Sequence, residues 1–253
     1  MQYVDTHCHL QDPRLAGFLP EVLARARRLG IKKFVCCGSA ENDWETVLSL
    51  ANRETGIVPM LGLHPWYVGD ALPNWDNRLM DLLKGSSAGL GECGLDYAVS
   101  GASHAAQIAA LETQWLMALE LNRPLSLHCR KAFDALFGIA EKLGLPEAGA
   151  VIHAFSGSAE LAKAATLHGF YISFACSLMN PSNKRGRKAL LAVQSDRLLL
   201  ETDSPDIQPV PGILNEPANL AKLAGIAADL RGESLEALKK QLWKNADSVF
   251  PVP

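Results

Sequence analysis

At 253 residues, 48% of them hydrophobic and 20% charged, the chain has an ordinary globular composition and lies within the size range of a single α/β barrel domain spanning 1–253. A net charge of −3 and a sequence pI near 6.2 exclude nucleic-acid binding through a basic bulk, so a polyanion would have to meet a local basic patch. Six cysteines without CxxC spacing, the lack of a basic-then-apolar leader and the lack of an uncharged apolar run of about 18 residues predict reduced thiols, no membrane span and residence in the cytoplasm.

In chain order, short apolar runs rich in Val, Ile, Leu and Phe predict strands at QYVDTHCH (2–9), KKFVCCG (32–38), IVPMLGLHP (57–65), AGLGECGLDY (88–97), PLSLHCR (124–130), AVIHAFSG (150–157), FYISFAC (170–176) and RLLLETDSP (197–205). Amphipathic stretches lie between them. In the stretch 105–122, Ile108, Leu111, Trp115 and Leu119 follow helical spacing along one face, and Gly30, Gly144 and Gly169 each fall where a helix should stop. Eight strands alternating with helices predict a closed (β/α)8 barrel. An open doubly wound sheet fits less well, because no GxGxxG turn follows the first strand.

His7 and His9 stand two apart in the first strand, so their imidazoles project to the same side while Cys8 points away. His64, Glu92, His128, His153 and Asp203 fall late in the third, fourth, fifth, sixth and eighth strands. In a barrel all seven gather at the C-terminal rim, where catalytic groups assemble. Packing alone accounts poorly for five histidines and two carboxylates at strand ends, since buried polar groups are costly unless satisfied. His104, before a helix, and His168, near a helix end, read as surface or capping residues. Histidine nitrogen and carboxylate oxygen suit divalent zinc, manganese or magnesium, and Cys8, Cys93 and Cys129 alternate with the ligands as packing residues. The donors outnumber the needs of one ion. The economical arrangement is two ions about 3.5 to 4 Å apart sharing a carboxylate, with Glu92 as the candidate bridge.

DTHCHL, GLHPW, GECGLDY, HCRKA, HAFSG and LLETDSP, in this order, resemble the signature blocks of TatD-type metal-dependent hydrolases, a branch of the amidohydrolase barrel superfamily, and the likeness runs on through NEPANL and KNADSVF. The resemblance implies a (β/α)8 barrel, a binuclear divalent site and magnesium-dependent deoxyribonuclease activity, often 3′ to 5′ exonucleolytic. Carried over by position, it implies His7, His9, Glu92 and Asp203 on one ion and Glu92, His128 and His153 on the other. It also implies His64 beside the substrate or the attacking water, and Glu201 assisting either metal binding or proton transfer, or else only orienting a histidine. One departure stands at Leu214, where family members often carry arginine before the Asn of the NEP block.

The chemistry this set supports is metal-assisted hydrolysis, with Asp203 placed to accept the water proton. Arg130 and Lys131 follow His128, and Arg185 and Arg187 belong to a basic run, NKRGRK (183–188), after the seventh strand; both are candidate phosphate contacts, and both also read as solvated surface. Trp66 and Tyr67 follow His64 and read either as a stacking face for a base or as loop packing. A DNA substrate therefore competes with a small amide or ester, and with a noncatalytic barrel that retains the fold. No obligate protein partner is indicated.

Overall fold

The computed structural model describes residues 2–251. Its eight strands, β1 (Tyr3–Cys8), β2 (Ile31–Cys37), β3 (Ile57–Leu61), β4 (Gly89–Asp96), β5 (Leu125–Arg130), β6 (Ala150–Ile152), β7 (Tyr171–Phe174) and β8 (Leu198–Leu200), are parallel and hydrogen-bonded in chain order. The intervening helices are α1 (Leu19–Arg28), α2 (Trp44–Arg53), α3 (Trp75–Lys84), α4 (His104–Leu121), α5 (Phe133–Leu143), α6 (Ala159–Leu167) and α7 (Lys184–Ala192), and α8 (Leu220–Arg231) and α9 (Leu235–Val249) follow β8. All eight predicted strands form, and the architecture is the expected (β/α)8 barrel. Gly30, Gly144 and Gly169 take φ of 91°, 76° and 92° just beyond α1, α5 and α6, as helix stops do.

Polar side chains close the seam between β8 and β1. The buried Asp5 carboxylate accepts the Thr202 N–H at 2.8 Å and pairs with the Thr202 hydroxyl at 2.5 Å, while Thr6 Oγ1 donates to the Leu200 carbonyl at 3.0 Å. The Asp203 N–H then donates to the His7 carbonyl at 3.0 Å, so the two strands that carry site residues are fixed to each other directly. At the opposite end, Val4, Val35, Val58, Met60, Val151 and Leu199 form one buried cluster with Ala246, Val249 and Phe250. Lys33, 2% exposed, donates to Asp247 Oδ1 and the Phe250 carbonyl at 2.9 Å each, and Asn245 Nδ2 donates to the Ser195 and Leu198 carbonyls. Helix α9 therefore shuts the end where the strands begin, and the C-terminal rim is left for chemistry. No helix among the described residues is long and apolar enough to cross a membrane.

Several sequence expectations shift. Strands β1, β3, β6 and β8 end at Cys8, Leu61, Ile152 and Leu200, so His9, His64, His153 and Asp203 sit just past their strands, and Glu92 lies mid-strand in an eight-residue β4. Ile108 and Leu119 are only half-buried, whereas Gln107 and Gln114 are buried on α4 beside Leu111 and Trp115. The physical reason is that two loops need polar anchors. Gln114 accepts the Leu63 N–H at 2.7 Å and donates to the Leu63 carbonyl; Gln107 accepts the Asp96 N–H at 2.8 Å and donates to the Asp96 carbonyl.

The tightest approach in the sheet lies between β4 and β5, where Gly94 pairs with His128 at φ 148° and a Cβ would stand 1.9 Å from the His128 carbonyl oxygen. Gly94→Ala is expected to cost more than about 3 kcal/mol of stability in urea unfolding, because backbone rather than a side-chain tip must move. A variant with the wild-type unfolding midpoint would contradict this packing.

Candidate metal centre

The rim brings together His7, His9, His64, Glu92, His128, His153, Glu201 and Asp203, and Glu92 is the hub. Its Oε2 lies 3.7 Å from His7 Nε2 and 3.5 Å from His9 Nε2, and Asp203 Oδ1 completes that group at 3.8 and 3.4 Å from the same two nitrogens. Its Oε1 faces a second set: His153 Nε2 at 2.8 Å, His128 Nδ1 at 3.2 Å and His64 Nε2 at 3.3 Å. The Nε2 atoms of His7 and His153 are buried without an aligned hydrogen-bond partner, as expected of nitrogens that await a cation. Donor type, number and spacing all fit divalent ions.

Each imidazole is oriented from behind, which decides the nitrogen it presents. His9 Nδ1 donates to the Cys37 carbonyl at 2.8 Å, so Nε2 is the nitrogen turned to the centre. His128 turns Nε2 to Asp96 Oδ2 at 3.1 Å and presents Nδ1; His153 turns Nδ1 to Glu201 Oε1 at 3.3 Å and presents Nε2. His7 Nδ1 pairs with Ser126 Oγ at 2.9 Å. His64 is reversed. Its Nδ1 accepts the Trp66 N–H at 3.2 Å, so the proton sits on Nε2 and His64 offers an N–H to the centre rather than a lone pair. Glu201 is fully buried, and its Oε1 also accepts the Ala154 N–H at 2.7 Å. Both Ala154 (φ 41°) and Asp203 (φ 57°) hold left-handed backbone here, the kind of local strain that collects at functional sites.

Burial pushes the Glu92 carboxyl up, but electrostatic interaction with the His64 and His153 rings and hydrogen bonds from His128 and His153 outweigh it and hold Glu92 well below the usual carboxylate range. Asp203 is likewise lowered, burial being overcome by His9 and its neighbours. Burial would discharge His9, yet Asp203 and Glu92 raise it to about 9, and Glu92 and Glu201 raise His153 well above its ordinary value. Burial wins at His7 and His64, whose values fall.

Other candidate residues are placed differently. Trp66 is half-exposed, and its Nε1 donates to Asp96 Oδ2 at 2.9 Å, which ties it to the His128 support. Arg130 and Arg185 are exposed, and Arg187 spends Nε and Nη2 on the Leu178 carbonyl at 3.3 and 3.1 Å; among the described residues none of the three bonds to the histidine cluster. His104 stacks on Tyr97 and His168 on Phe137, both apart from the cluster. Leu214 lines an open groove of about 550 Å3 with Leu15, Phe18, Val210 and Ile213, so the rim carries an apolar wall there. Asp96 and Ser126 were missed by the sequence reading although period-two spacing puts Asp96 on the Glu92 face of β4 and Ser126 on the His128 face of β5.

A parallel barrel with a histidine and carboxylate centre at its C-terminal rim defines a metal-dependent hydrolase. Residues 4–251 match the family model described as TatD related DNase, and the chain belongs to that family. All of it aligns at 28% identity with 99% of YjjV, an uncharacterized metal-dependent hydrolase of Escherichia coli K12. It aligns over 98% of its length at 31% identity with 98% of the 3′-5′ ssDNA/RNA exonuclease TatD of Edwardsiella piscicida. Human deoxyribonuclease TATDN3 aligns at 30% identity, covering 98% of this chain and 94% of that protein. The crystal structure of YjjV superposes with a TM-score of 0.94, covering 99% of this chain and 98% of that one at 28% identity. A TatD family hydrolase of Entamoeba histolytica repeats the fold with a TM-score of 0.88 at 20% identity, over 99% of this chain and 98% of its own.

Because Asp203 and Glu92 hold a proton on His9 up to about pH 9 in the metal-free protein, a cation must displace that proton. Divalent-ion affinity should therefore fall as pH drops below about 9, and calorimetry at pH 7 in two buffers of unequal ionisation heat should register release of about one proton or more. Binding with no proton release would contradict the charge state assigned to the cluster.

Proposed function

We propose that this chain is a single-domain deoxyribonuclease that uses two divalent ions, magnesium in the first place and manganese or zinc as alternatives, to hydrolyse phosphodiester bonds of DNA from the 3′ end. The observation that carries the reading is the division of Glu92: one oxygen faces His7, His9 and Asp203, the other His128 and His153. Donor number supports two ions: His7, His9 and Asp203 gather on one side of Glu92 and His128 and His153 on the other, more donors than one ion takes.

When bound, the two cations supply an activated water and stabilise charge on the phosphate. The chain's own residues do the rest. His7, His9 and Asp203 would hold one ion and His128 and His153 the other, and Glu92, which has an oxygen toward each group, would serve both. Asp203 Oδ1 is engaged with His7 and His9, which leaves its other oxygen for the general-base role assigned to it here. His64, kept neutral by burial, presents Nε2–H to an oxygen of the substrate. Glu201 acts through His153, fixing the ring rather than binding an ion. Exposed Arg130 and Arg185 are the phosphate contacts, and the carbonyl engagement of Arg187 makes it the support of the 176–179 turn instead. All six cysteines are unpaired, which fits a reducing cytoplasm.

The test is end-labelled single-stranded DNA with magnesium or manganese, against a panel of amides and esters and a chelator control. The wild type should shorten the DNA and leave the panel intact, while Glu92→Gln should lose about 100-fold or more of the turnover with its fold retained. Full activity and full metal content in Glu92→Gln would contradict the shared ligand, and hydrolysis of an amide or ester without nuclease activity would replace the substrate class.

A further inference from the structure

We propose that Trp66 is the stacking wall of a subsite for one unpaired nucleobase, seated in the cleft between its indole and the 99–102 turn. This rests on the nuclease reading and adds where a base goes. The cleft is open, holds about 230 Å3, and is lined by Pro65, Trp66, the 99–102 turn and Gln107. That is less than the roughly 300 to 1,000 Å3 of pockets for drug-sized ligands, so it suits a planar ring rather than a run of nucleotides.

Three observations point to a base. The indole is 50% exposed, which leaves aromatic surface free for a ring to stack on. It is nevertheless held rigidly: Nε1 donates to Asp96 Oδ2 at 2.9 Å, and Asp96 is itself fixed by the Ala98 N–H on Oδ1 and by His128 Nε2 on Oδ2. A fixed aromatic face loses little entropy when a ring stacks on it. Finally, the indole meets the metal centre, standing 4.8 Å from the His64 ring and 6.3 Å from the His128 ring, neither of which lines the cleft. A base in the cleft thus lies one indole away from the group that presents its N–H to the substrate.

The lining also decides what the subsite can read. Gln107 has its amide committed, Oε1 to the Asp96 N–H and Nε2 to the Asp96 and Ala102 carbonyls, and the Trp66 indole Nε1–H is committed to Asp96 Oδ2. Among the side chains of the cleft, Ser100 alone keeps hydrogen-bonding capacity. The subsite therefore recognises a flat ring and not its identity, and it requires that the base be unpaired, because a base inside a duplex cannot present its face.

The experiment measures binding first, in EDTA, by fluorescence anisotropy of a labelled single-stranded hexanucleotide, beside the same strand with an abasic residue at one end or the other. Wild type should bind the intact strand about 5- to 150-fold tighter than one of the two abasic strands, with the four bases at that end differing by only a few fold. Trp66→Ala and Trp66→Leu should abolish the gap, and Trp66→Phe, which keeps a ring, should retain most of it; circular dichroism checks the fold of each. The same ratios should appear in kcat/KM once magnesium is added. A gap that survives in Trp66→Ala or Trp66→Leu, or no gap in the wild type while DNA is still cleaved, overturns the subsite and leaves the nuclease reading standing. Failure to bind or cleave either strand removes the nuclease reading and the subsite with it.

Discussion

A carboxylate as deeply buried as Glu92, 6% exposed, has to be met by positive charge, and the rim is organised around that requirement. Without a metal the compensation comes from protons on His9, His128 and His153, all of which are raised against the pull of burial. In the proposed metal-loaded form the same nitrogens would give up their protons to act as ligands, so that cation and proton would compete for one set of residues.

The scaffold fixes the residues of the rim from several different elements. Asp203 is held through its own N–H to the His7 carbonyl and through Thr202, which the Asp5 carboxylate grips. His64 hangs from a loop that Gln114 anchors at Leu63, and Asp96 from a strand end that Gln107 anchors. The close passage of Gly94 beside His128 lets β4 and β5 bring Glu92 and His128 within hydrogen-bond range. At the far end, α9 and the buried Lys33 seal the barrel, so no site residue has to serve as a plug.

Much of this was legible in the sequence because the signals are local. Period-two spacing put His7 and His9 on one side, alternation of apolar runs with helical stretches gave eight strands, and the signature blocks singled out the histidines and carboxylates that the fold gathers at the rim. What escaped were residues whose role depends on a distant partner. Gln107 and Gln114 interrupt an apolar helix and look like surface positions until Leu63 and Asp96 are seen to need their amides. The predicted apolar face of α4 was rotated for the same reason, leaving Ile108 and Leu119 at its margin. Arg187 read as a free cation in a basic run, and only the fold shows it turned onto the Leu178 carbonyl. Glu201 meets His153 Nδ1 at 3.3 Å, a contact that only the fold reveals.

The central claim is that Glu92 serves two cations at once. Titration of the chelator-treated protein with manganese, followed by electron paramagnetic resonance, tests it most directly, because two manganese ions sharing a carboxylate are exchange-coupled and isolated ones are not. The account predicts two ions per chain with a coupled spectrum that collapses to an uncoupled one in Glu92→Gln. Saturation at one ion per chain, or two ions whose spectrum shows no coupling in the wild type, would contradict it.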